Sequence, residues 1–457
     1  MIGSRSGEDI FGDETGDLRL LAARAYVWGF ALVAAAKLRL QLTNPRDPFA
    51  QRQSTSAGAP LNNFGHQQAL SDPTLAGVAP NVDTLYSLAW LDLGTESFVL
   101  ETPGFGSRYY TFQFGYADTA AEVSLGRRTH GATLPPVFVQ GPARAAPVPP
   151  GMIEVTSPTR YALVAGRILV VPDDPADQTA VRELQRMIRL RPLARYLAGE
   201  LGPNPVPEQR PLDEGARPVD PDLVVLRDLG NVLRDWIVSP RERPLVDSFR
   251  ALGLSPEAGF EPKSLPEAAK AAVVRGLADG EDLVEAKSRH LGRTVNGWTV
   301  NDRGPRFGDD HLLRAAVARD QIFVTVPEEA LYPVTATDAD GRRLGGEHAY
   351  RVAFAPGALP PVDAFWSLTM YRRDGSPLVP NPIDRYAIGD RTPGLVTEPD
   401  GSLVIRIQHR QPSTRRTFNW LPAPQGLFHL MMRLYLPRAA VLDGFWAPPP
   451  IERVAAV

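Results

Sequence analysis

The 457-residue sequence contains no cysteine. It therefore cannot form disulfide bonds, thiolate zinc sites or iron–sulfur clusters, and it cannot use a cysteine nucleophile. It also has no basic excess, because 49 lysines and arginines face 52 aspartates and glutamates, for a net charge of −3. That balance argues against nucleic-acid binding, which needs a basic surface.

Several common catalytic signatures are also missing. The sequence has no GxxxxGK[ST] loop, no strand-linked GxGxxG and no GxSxG elbow, and its seven histidines form no HxH or HExxH pair. Asp309-Asp310-His311 is the one tight cluster of oxygen and nitrogen ligands. Its place at the start of an expected helix favours helix capping over metal binding. We therefore predict no metal site and no organic cofactor, and a serine hydrolase is disfavoured.

The N-terminal segment 1–17 is polar and acidic and lacks the pattern of a signal peptide. The apolar run 20–38 that follows is interrupted by Arg24 and Lys37. This pattern predicts a buried or amphipathic helix rather than a membrane span. We expect a cytoplasmic protein without a membrane partner, or an exported one if a signal peptide has been removed from the sequence.

Glycine and proline are abundant, with 39 and 45 residues, and they separate short apolar runs. Such spacing favours many short strands. Strand-like runs occupy most of 81–171 and 348–436, whereas 175–292 has helical periodicity, including an expected helix over 180–197. The predicted fold is mainly β with α, in which helices join and flank two antiparallel, jelly-roll-like β-sandwich modules. The expected domains are a helical and loop segment 1–78, a first sandwich 79–172, a helical middle region 173–325 and a second sandwich 326–457.

A short internal echo links the two strand-rich regions. Pro80-Asn81-Val82-Asp83-Thr84-Leu85-Tyr86-Ser87-Leu88 matches Pro360-Pro361-Val362-Asp363-Ala364-Phe365-Trp366-Ser367-Leu368 at the Val-Asp pair, the Ser-Leu pair and the aromatic residue between them. Each copy opens a predicted sandwich. The echo predicts a duplication in which each module begins with a central strand.

Motifs along most of the chain resemble those of a bacterial family known as a tandem of two domains of unknown function, numbered 1254 at the N-terminus and 1214 at the C-terminus. The resemblance implies two jelly-roll-like sandwiches with helices between and around them, and it implies no established activity. Many relatives have export signals. The motifs are Asn81-Val82-Asp83-Thr84-Leu85-Tyr86, Arg108-Tyr109-Tyr110, Gly166-Arg167, 365–371, 381–386, 419–424 and Arg433-Leu434-Tyr435.

Polar and aromatic residues in these motifs are the candidate site. Proline-bent loops at the end of a sandwich often hold ligands. In the enzyme hypothesis Asp83 or Asp384 is the acid or base, Tyr86 or Tyr386 donates a hydrogen bond, and Arg385 binds an anionic group. The structural alternative makes Asp384 and Arg385 an ion pair. The expected ligand-binding residues are Asn81, Tyr110, Trp366, Tyr371, Asn381, Asn419 and Trp420.

These residues lead to three hypotheses about function. The first is an enzyme without an organic cofactor, of hydrolase or lyase type, that acts on a small organic molecule in a polar, aromatic-lined pocket. The second is a non-catalytic protein that binds a small ligand or a sugar. The third is an assembly protein, because exposed sheet edges favour homo-oligomers.

Overall fold

The computed structural model describes residues 9–11, 17–75, 79–142, 146–213, 219–373, 377–412 and 418–455. These ranges form two β-sandwiches and a layer of helices, with 27% helix and 26% strand. The predicted fold class is confirmed, since the described residues combine antiparallel sheets in sandwich modules with flanking helices and form no closed barrel.

The first sandwich consists of a five-stranded and a four-stranded sheet. Its strands are β1 (Gly65–His66), β2 (Thr84–Asp92), β3 (Phe98–Glu101), β4 (Tyr110–Tyr116), β5 (Val123–Gly126), β6 (Val137–Gln140), β7 (Ile153–Thr156), β8 (Tyr161–Leu169) and β9 (Arg189–Pro192). The sheet orders are β1-β2-β8-β4-β5 and β7-β6-β3-β9, and among these described strands only β6 and β7 pair in parallel. On β4, Tyr110, Phe112 and Phe114 point into the core, so Thr111 and Gln113 point to the opposite face.

The helical layer surrounds a long N-terminal helix. Its helices are α1 (Leu18–Thr43), α2 (Arg127–His130), α3 (Pro175–Met187), α4 (Leu193–Leu197), α5 (Val224–Leu233), α6 (Arg243–Ser248), α7 (Glu267–Ser288), α8 (His311–Asp320) and α9 (Ala439–Leu442), with short 3-10 turns at Asp9–Phe11, Pro221–Leu223, Phe249–Leu252 and Pro262–Ser264 and a hairpin of β10 (Leu254–Ser255) and β11 (Gly259–Phe260). Helices α2, α3, α4 and α9 border the sandwiches, whereas α5, α7 and α8 pack against α1.

Helix α1 begins at Asp17, whose carboxylate accepts hydrogen bonds from the first free backbone N–H groups, and ends at the left-handed Asn44. It is long and apolar enough to cross a membrane, but 78% of its most apolar window is buried inside the protein. Gly276 lets α7 approach closely, because a Cβ there would lie 2.1 Å from the Arg19 carbonyl oxygen. Asp310 caps α8 by accepting a hydrogen bond from the Leu313 N–H, as the sequence predicted.

The second sandwich has the same layered plan. Its strands are β12 (Arg293–Val295), β13 (Trp298–Val300), β14 (Ala330–Leu331), β15 (Val334–Thr335), β16 (Ala349–Phe354), β17 (Val362–Arg372), β18 (Ala387–Gly389), β19 (Leu403–Gln408), β20 (Trp420–Pro422), β21 (Phe428–Pro437) and β22 (Glu452–Val454). The larger sheet has the order β12-β13-β15-β21-β17-β18, with β14 also on β21, and the smaller has the order β20-β19-β16-β22. Trp366, Leu368 and Met370 of β17 point into the core.

The helix expected over 180–197 is wrong in its middle, because β9 interrupts it between α3 and α4. Helix α3 ends at Met187, and β9 follows directly. Residues 189–192 alternate in the period of a strand, and Leu190 enters the first core. Thus the first sandwich takes a strand from 189–192 and the second takes strands from 293–300, and both segments lie within the range 173–325 that was expected to be helical.

The two sandwiches face each other through the outer faces of their larger sheets, and we call this boundary the seam. Tyr109 lies in the seam, with its ring 5.5 Å from the ring of Phe365 and 5.3 Å from that of Tyr435. Its hydroxyl donates a 2.8 Å hydrogen bond to Glu329. Strand alternation explains why polar groups also meet here, because residues between the core-facing positions must point to the seam.

Candidate functional site at the seam

Asp83 lies at the centre of the seam, immediately before β2. Its N–H donates a 2.7 Å hydrogen bond to the side-chain oxygen of Asn81, which fixes the turn into the strand. Its side chain is 4% exposed and reaches the second sandwich. One carboxylate oxygen accepts a 2.6 Å hydrogen bond from the Ser367 hydroxyl, and the other forms an ion pair with Arg391.

Arg391 is placed by the turn after β18. Its guanidinium also donates to the carbonyl of Val170 at 3.3 Å and lies 4.1 Å above the ring of Phe365. The neighbouring Asp390 accepts a hydrogen bond from the Trp366 N–H. Burial raises the pKa of Asp390 to about 6, despite the opposing effect of Arg391. A carboxyl group that titrates close to neutral pH is suited to proton transfer.

A cleft of about 330 Å³ opens over Asp83, Ser367 and Arg391, and we call it the seam cleft. Both sandwiches contribute to it, so it forms only when the two are joined. Its polar lining residues are Ser71, Asp72, Asp83, Asp173, Gln178, Ser367, Asp384, Arg385, Tyr386, Arg391 and Thr392. Clefts at the boundary of two modules are frequent ligand sites.

All but one of the predicted catalytic residues line the seam cleft. Asp83 lies at its floor, and the loop before β18 brings Asp384, Arg385 and Tyr386 to its rim, while Tyr86 does not line it. Tyr386 donates a 3.1 Å hydrogen bond to Asp384. The Arg385 guanidinium donates to the carbonyls of Phe418 and Trp420, both at 2.9 Å. The guanidinium at the floor of the cleft therefore belongs to Arg391 and not to Arg385.

A second polar group lies behind the floor, and we call it the inner site: Tyr86, Arg167, Tyr332, Arg433 and Tyr435. Arg167 donates to the Tyr86 hydroxyl at 3.2 Å and to Gln113 at 2.8 Å. Asn81 donates to the Tyr435 hydroxyl at 2.9 Å and to that of Tyr86 at 3.4 Å. Burial alone would raise the pKa of Tyr86, but the Arg167 guanidinium and the Asn81 amide hold it below its usual value.

Arg433 anchors the other side of the inner site. It donates 2.7 Å hydrogen bonds to Thr369 and to the hydroxyl of Tyr371, and a 3.0 Å bond to the Ala79 carbonyl. The Tyr371 hydroxyl in turn donates to the Pro80 carbonyl at 2.7 Å. These contacts hold the segment before Asp83 against the second sandwich.

The remaining predicted ligand-binding residues lie elsewhere. Tyr110 is in the first core and Trp366 in the second. The Asn381 side-chain amide donates to carbonyls within its own loop. Asn419 donates to the carbonyls of Val396 and Val404, and Trp420 is fully buried. Asn81 and Tyr371 do contact the inner site, as described above.

Sequence reasoning did not select Ser367, Asp390, Arg391, Arg167 or Arg433 as site residues. For two of them a signal exists, because Arg167 and Arg433 are single charges within otherwise apolar strands. An arginine is rarely buried without a specific role or partner. Within the described ranges, no group of three potential ligands could hold a metal ion.

The chain was compared with known proteins. Residues 61–192 match the family model "Protein of unknown function (DUF1254)", and residues 329–439 match "Protein of unknown function (DUF1214)". No protein with a curated description is significantly similar to the chain. The crystal structure of the VPA0106 protein from Vibrio parahaemolyticus has the same fold, with a TM-score of 0.68 and 24% identity over 96% of this chain and 100% of that one. An uncharacterised protein from Burkholderia cenocepacia aligns at a TM-score of 0.43 and 12% identity, over 93% of this chain and 87% of that one.

Proposed function

The chain belongs to the family in which a domain of unknown function 1254 precedes a domain of unknown function 1214, and on that premise we propose that it is an enzyme whose active site is the seam cleft. The proposed reaction is of hydrolase or lyase type, acts on a small organic molecule and uses no organic cofactor. Both domains supply residues to the cleft, which gives the tandem arrangement a functional reason.

The observation that carries the proposal is the ion pair of Asp83 and Arg391 at the cleft floor, together with Asp390, which lies beside the floor next to the Arg391 guanidinium and outside the cleft lining. Two carboxyl groups share one guanidinium, with the Asp390 oxygen 3.6 Å and the Asp83 oxygen closer still to the Arg391 nitrogens. Asp83 is charge-compensated by its ion pair, whereas the pKa of Asp390 is raised to about 6 by burial. Carboxyl groups held in different environments are a common basis for acid–base catalysis.

The proposed roles follow from these contacts. In this proposal Asp390, beside the floor and not in the cleft lining, takes or gives the proton, and Arg391 stabilises negative charge that develops on the substrate. Asp83 and Ser367 are positioning residues, because both oxygens of Asp83 are already used to hold Arg391 and Ser367. Asp384 and Tyr386 at the rim offer hydrogen bonds to the rest of the substrate.

The test is turnover of a panel of carboxylic esters, amides and hydroxy acids, followed by mass spectrometry. We expect the wild-type protein to convert at least one compound, and Asp390→Asn to abolish that conversion while the protein stays folded. Arg391→Lys should reduce it strongly, since a lysine cannot reproduce the geometry of the guanidinium. Asp363→Asn is the matched control, because Asp363 is 62% exposed and pairs with Arg438 on the surface. Conversion that survives in Asp390→Asn would refute the assignment.

A second candidate function is non-catalytic binding of a small ligand or sugar in the same cleft. It is favoured by the saturation of Asp83, whose two oxygens already have partners. Saturable binding without product formation would identify it. A homo-oligomeric assembly role is a separate proposal, and light scattering that shows a monomer would contradict it.

A further inference from the structure

The inner site contains two buried arginines. Arg167 and Arg433 are 7% and 3% exposed. Neither forms a salt bridge with any carboxylate in the part of the chain that the structure describes. A buried guanidinium without a counterion is unfavourable, because the lost hydration is not replaced.

Nearby carboxylates cannot supply that charge, because each is committed elsewhere. Asp83 pairs with Arg391 and accepts from Ser367. Glu329 accepts from Tyr109 at 2.8 Å and pairs with Arg128 at 2.9 Å. Asp83 therefore acts on Arg433 only through space, and Arg167 has no carboxylate partner among the described side chains.

The inner site also has more hydrogen-bond donors than acceptors. Among the described residues, the Nη2 group of Arg167 has no hydrogen-bond partner. The Tyr86 hydroxyl accepts from Asn81 and Arg167, and the Tyr435 hydroxyl accepts from Asn81, but neither hydroxyl has an acceptor for its own proton among those residues. An excess of aligned donors around a positive charge is the arrangement that binds an oxyanion.

Two independent observations point to a ligand at this position. Thr111 pairs with Arg167, and Arg167 with Tyr86, so the three residues form one row across β4, β8 and β2. Thr111 is fully buried, and its hydroxyl has no hydrogen-bond partner among the described residues. Tyr86 and Tyr332 are only half-buried although they lie at the seam, so their exposed surfaces border a space there.

We propose that the inner site binds the carboxylate, or an equivalent oxyanion, of a small aromatic or apolar organic acid. Arg167 binds the anionic oxygens, and the hydroxyls of Tyr86 and Tyr435 donate to them. The rings of Tyr86, Tyr332 and Tyr435 supply apolar walls for the rest of the molecule. This inference deepens the proposed function by naming a substrate class, and it rests on that function only in placing the substrate at the seam.

The test is isothermal titration calorimetry of the full-length protein with benzoate, benzamide and inorganic phosphate. Benzoate should bind saturably, whereas benzamide, which has the same shape and no charge, should bind about tenfold more weakly or not at all. Phosphate binding would also support an oxyanion site and would indicate a phosphate ester rather than a carboxylic acid. If none of the three anionic or neutral probes binds, the proposal is wrong.

Variants locate the binding. Arg167→Gln should weaken benzoate binding by about tenfold or more, because it removes a charged donor. Arg351→Gln is the matched control, since Arg351 forms an exposed ion pair with Glu452, and it should leave binding unchanged. Thr111→Val keeps the shape of the strand if Arg167→Gln does not fold, and it should weaken binding measurably.

Two results would overturn the inference without touching the catalytic proposal. One is benzoate binding of equal strength in wild type, Arg167→Gln and Thr111→Val. The other is a tyrosinate absorption band at neutral pH that disappears in Tyr86→Phe, in a protein that binds no probe. In that case the Tyr86 phenolate, rather than a ligand, neutralises Arg167. Loss of turnover in Asp390→Asn is read separately and tests only the seam cleft.

Discussion

Ser367 donates a 2.6 Å hydrogen bond to Asp83 across the seam, although the two residues are 284 positions apart. They occupy different positions of the internal echo, one in each copy, since Asp83 matches Asp363 and Ser87 matches Ser367. The matching residues in the other copies, Asp363 and Ser87, have other partners. Asp363 forms an exposed ion pair with Arg438, and the Ser87 hydroxyl contacts His66. Only one aspartate of the pair therefore connects the modules.

This asymmetry leads to a prediction about stability. Asp83→Ala leaves Arg391 and Ser367 without their partner at a buried position, and it should lower the free energy of unfolding by about 3 kcal/mol. Asp363→Ala removes an exposed pair and should cost about 0.5 kcal/mol or less. Urea denaturation of both variants measures the difference. Equal losses would show that the seam contact contributes nothing beyond a surface pair.

Gly389 allows β18 to lie close to β17. A Cβ at this position would lie 2.2 Å from the Trp366 carbonyl oxygen, so Gly389→Ala must push the strands apart and displace Asp390 and Arg391. We expect a loss of about 1 to 3 kcal/mol in stability, together with reduced turnover or ligand binding at the cleft.

Gly426→Ala is the control for that change, because no atom lies within 4 Å of its Cβ position. Thermal denaturation and ligand titration should show little effect there. A Gly389→Ala protein with wild-type stability would mean that the strand pair is more adaptable than its geometry indicates.

The alternation of apolar residues made much of the fold predictable. The β-rich character, the helices between the strands and the strands that contain the two echo copies followed from local patterns, because strand and helix periods are set within a few residues. The prediction that each copy begins its module was wrong, since β1 precedes β2 and β12 to β16 precede β17. Residues 189–192 fall within a predicted helix because a local pattern does not reveal a distant pairing partner. In the structure they form β9, which pairs with β3 about 90 positions earlier. Tertiary pairing overrode local propensity there.

The site was predictable only in part, for a similar reason. Asp83, Asp384 and Tyr386 were selected from loops that happen to meet at the seam cleft. Arg385 was assigned an anion-binding role, but its side chain donates to main-chain carbonyls of another loop. Arg391 follows a short strand, and nothing in its local sequence shows that it will meet Asp83. Which residues face each other across two sheets depends on how the modules dock.

The ionisation of Asp390 predicts the pH profile of any turnover. Its pKa of about 6 lies above the ordinary value of 3.8, so the folded protein binds this proton more tightly than the unfolded chain does. If Asp390 acts as a base, turnover should rise as pH increases through about 6. The contribution of this group to the free energy of unfolding should fall as pH rises from about 4 to about 6, because deprotonation is disfavoured in the folded state. Asp390→Asn should remove both effects, and a wild-type pH profile in that variant would contradict them.

Three half-buried histidines predict a loss of stability in acid, with a pH dependence opposite in sign to that of Asp390. Burial lowers the pKa of His66, His311 and His429 from 6.5 to about 4. Between these values the unfolded chain binds protons that the folded protein does not, so the free energy of unfolding should fall as pH decreases from 6.5 towards 4. The loss of stability that these three histidines cause should be nearly complete near pH 4, and they should cause no further loss at lower pH.

A single substitution isolates one of the three contributions. His429 stacks on Tyr371 with ring centroids 5.3 Å apart, so His429→Phe keeps the aromatic contact and removes the titrating group. Its free energy of unfolding should fall less between neutral pH and pH 4 than that of the wild type. His290→Gln, at an exposed position on the surface, should follow the wild-type curve. Urea denaturation across this pH range decides the matter, because a His429→Phe protein as acid-sensitive as the wild type would show that His429 is protonated in the folded state.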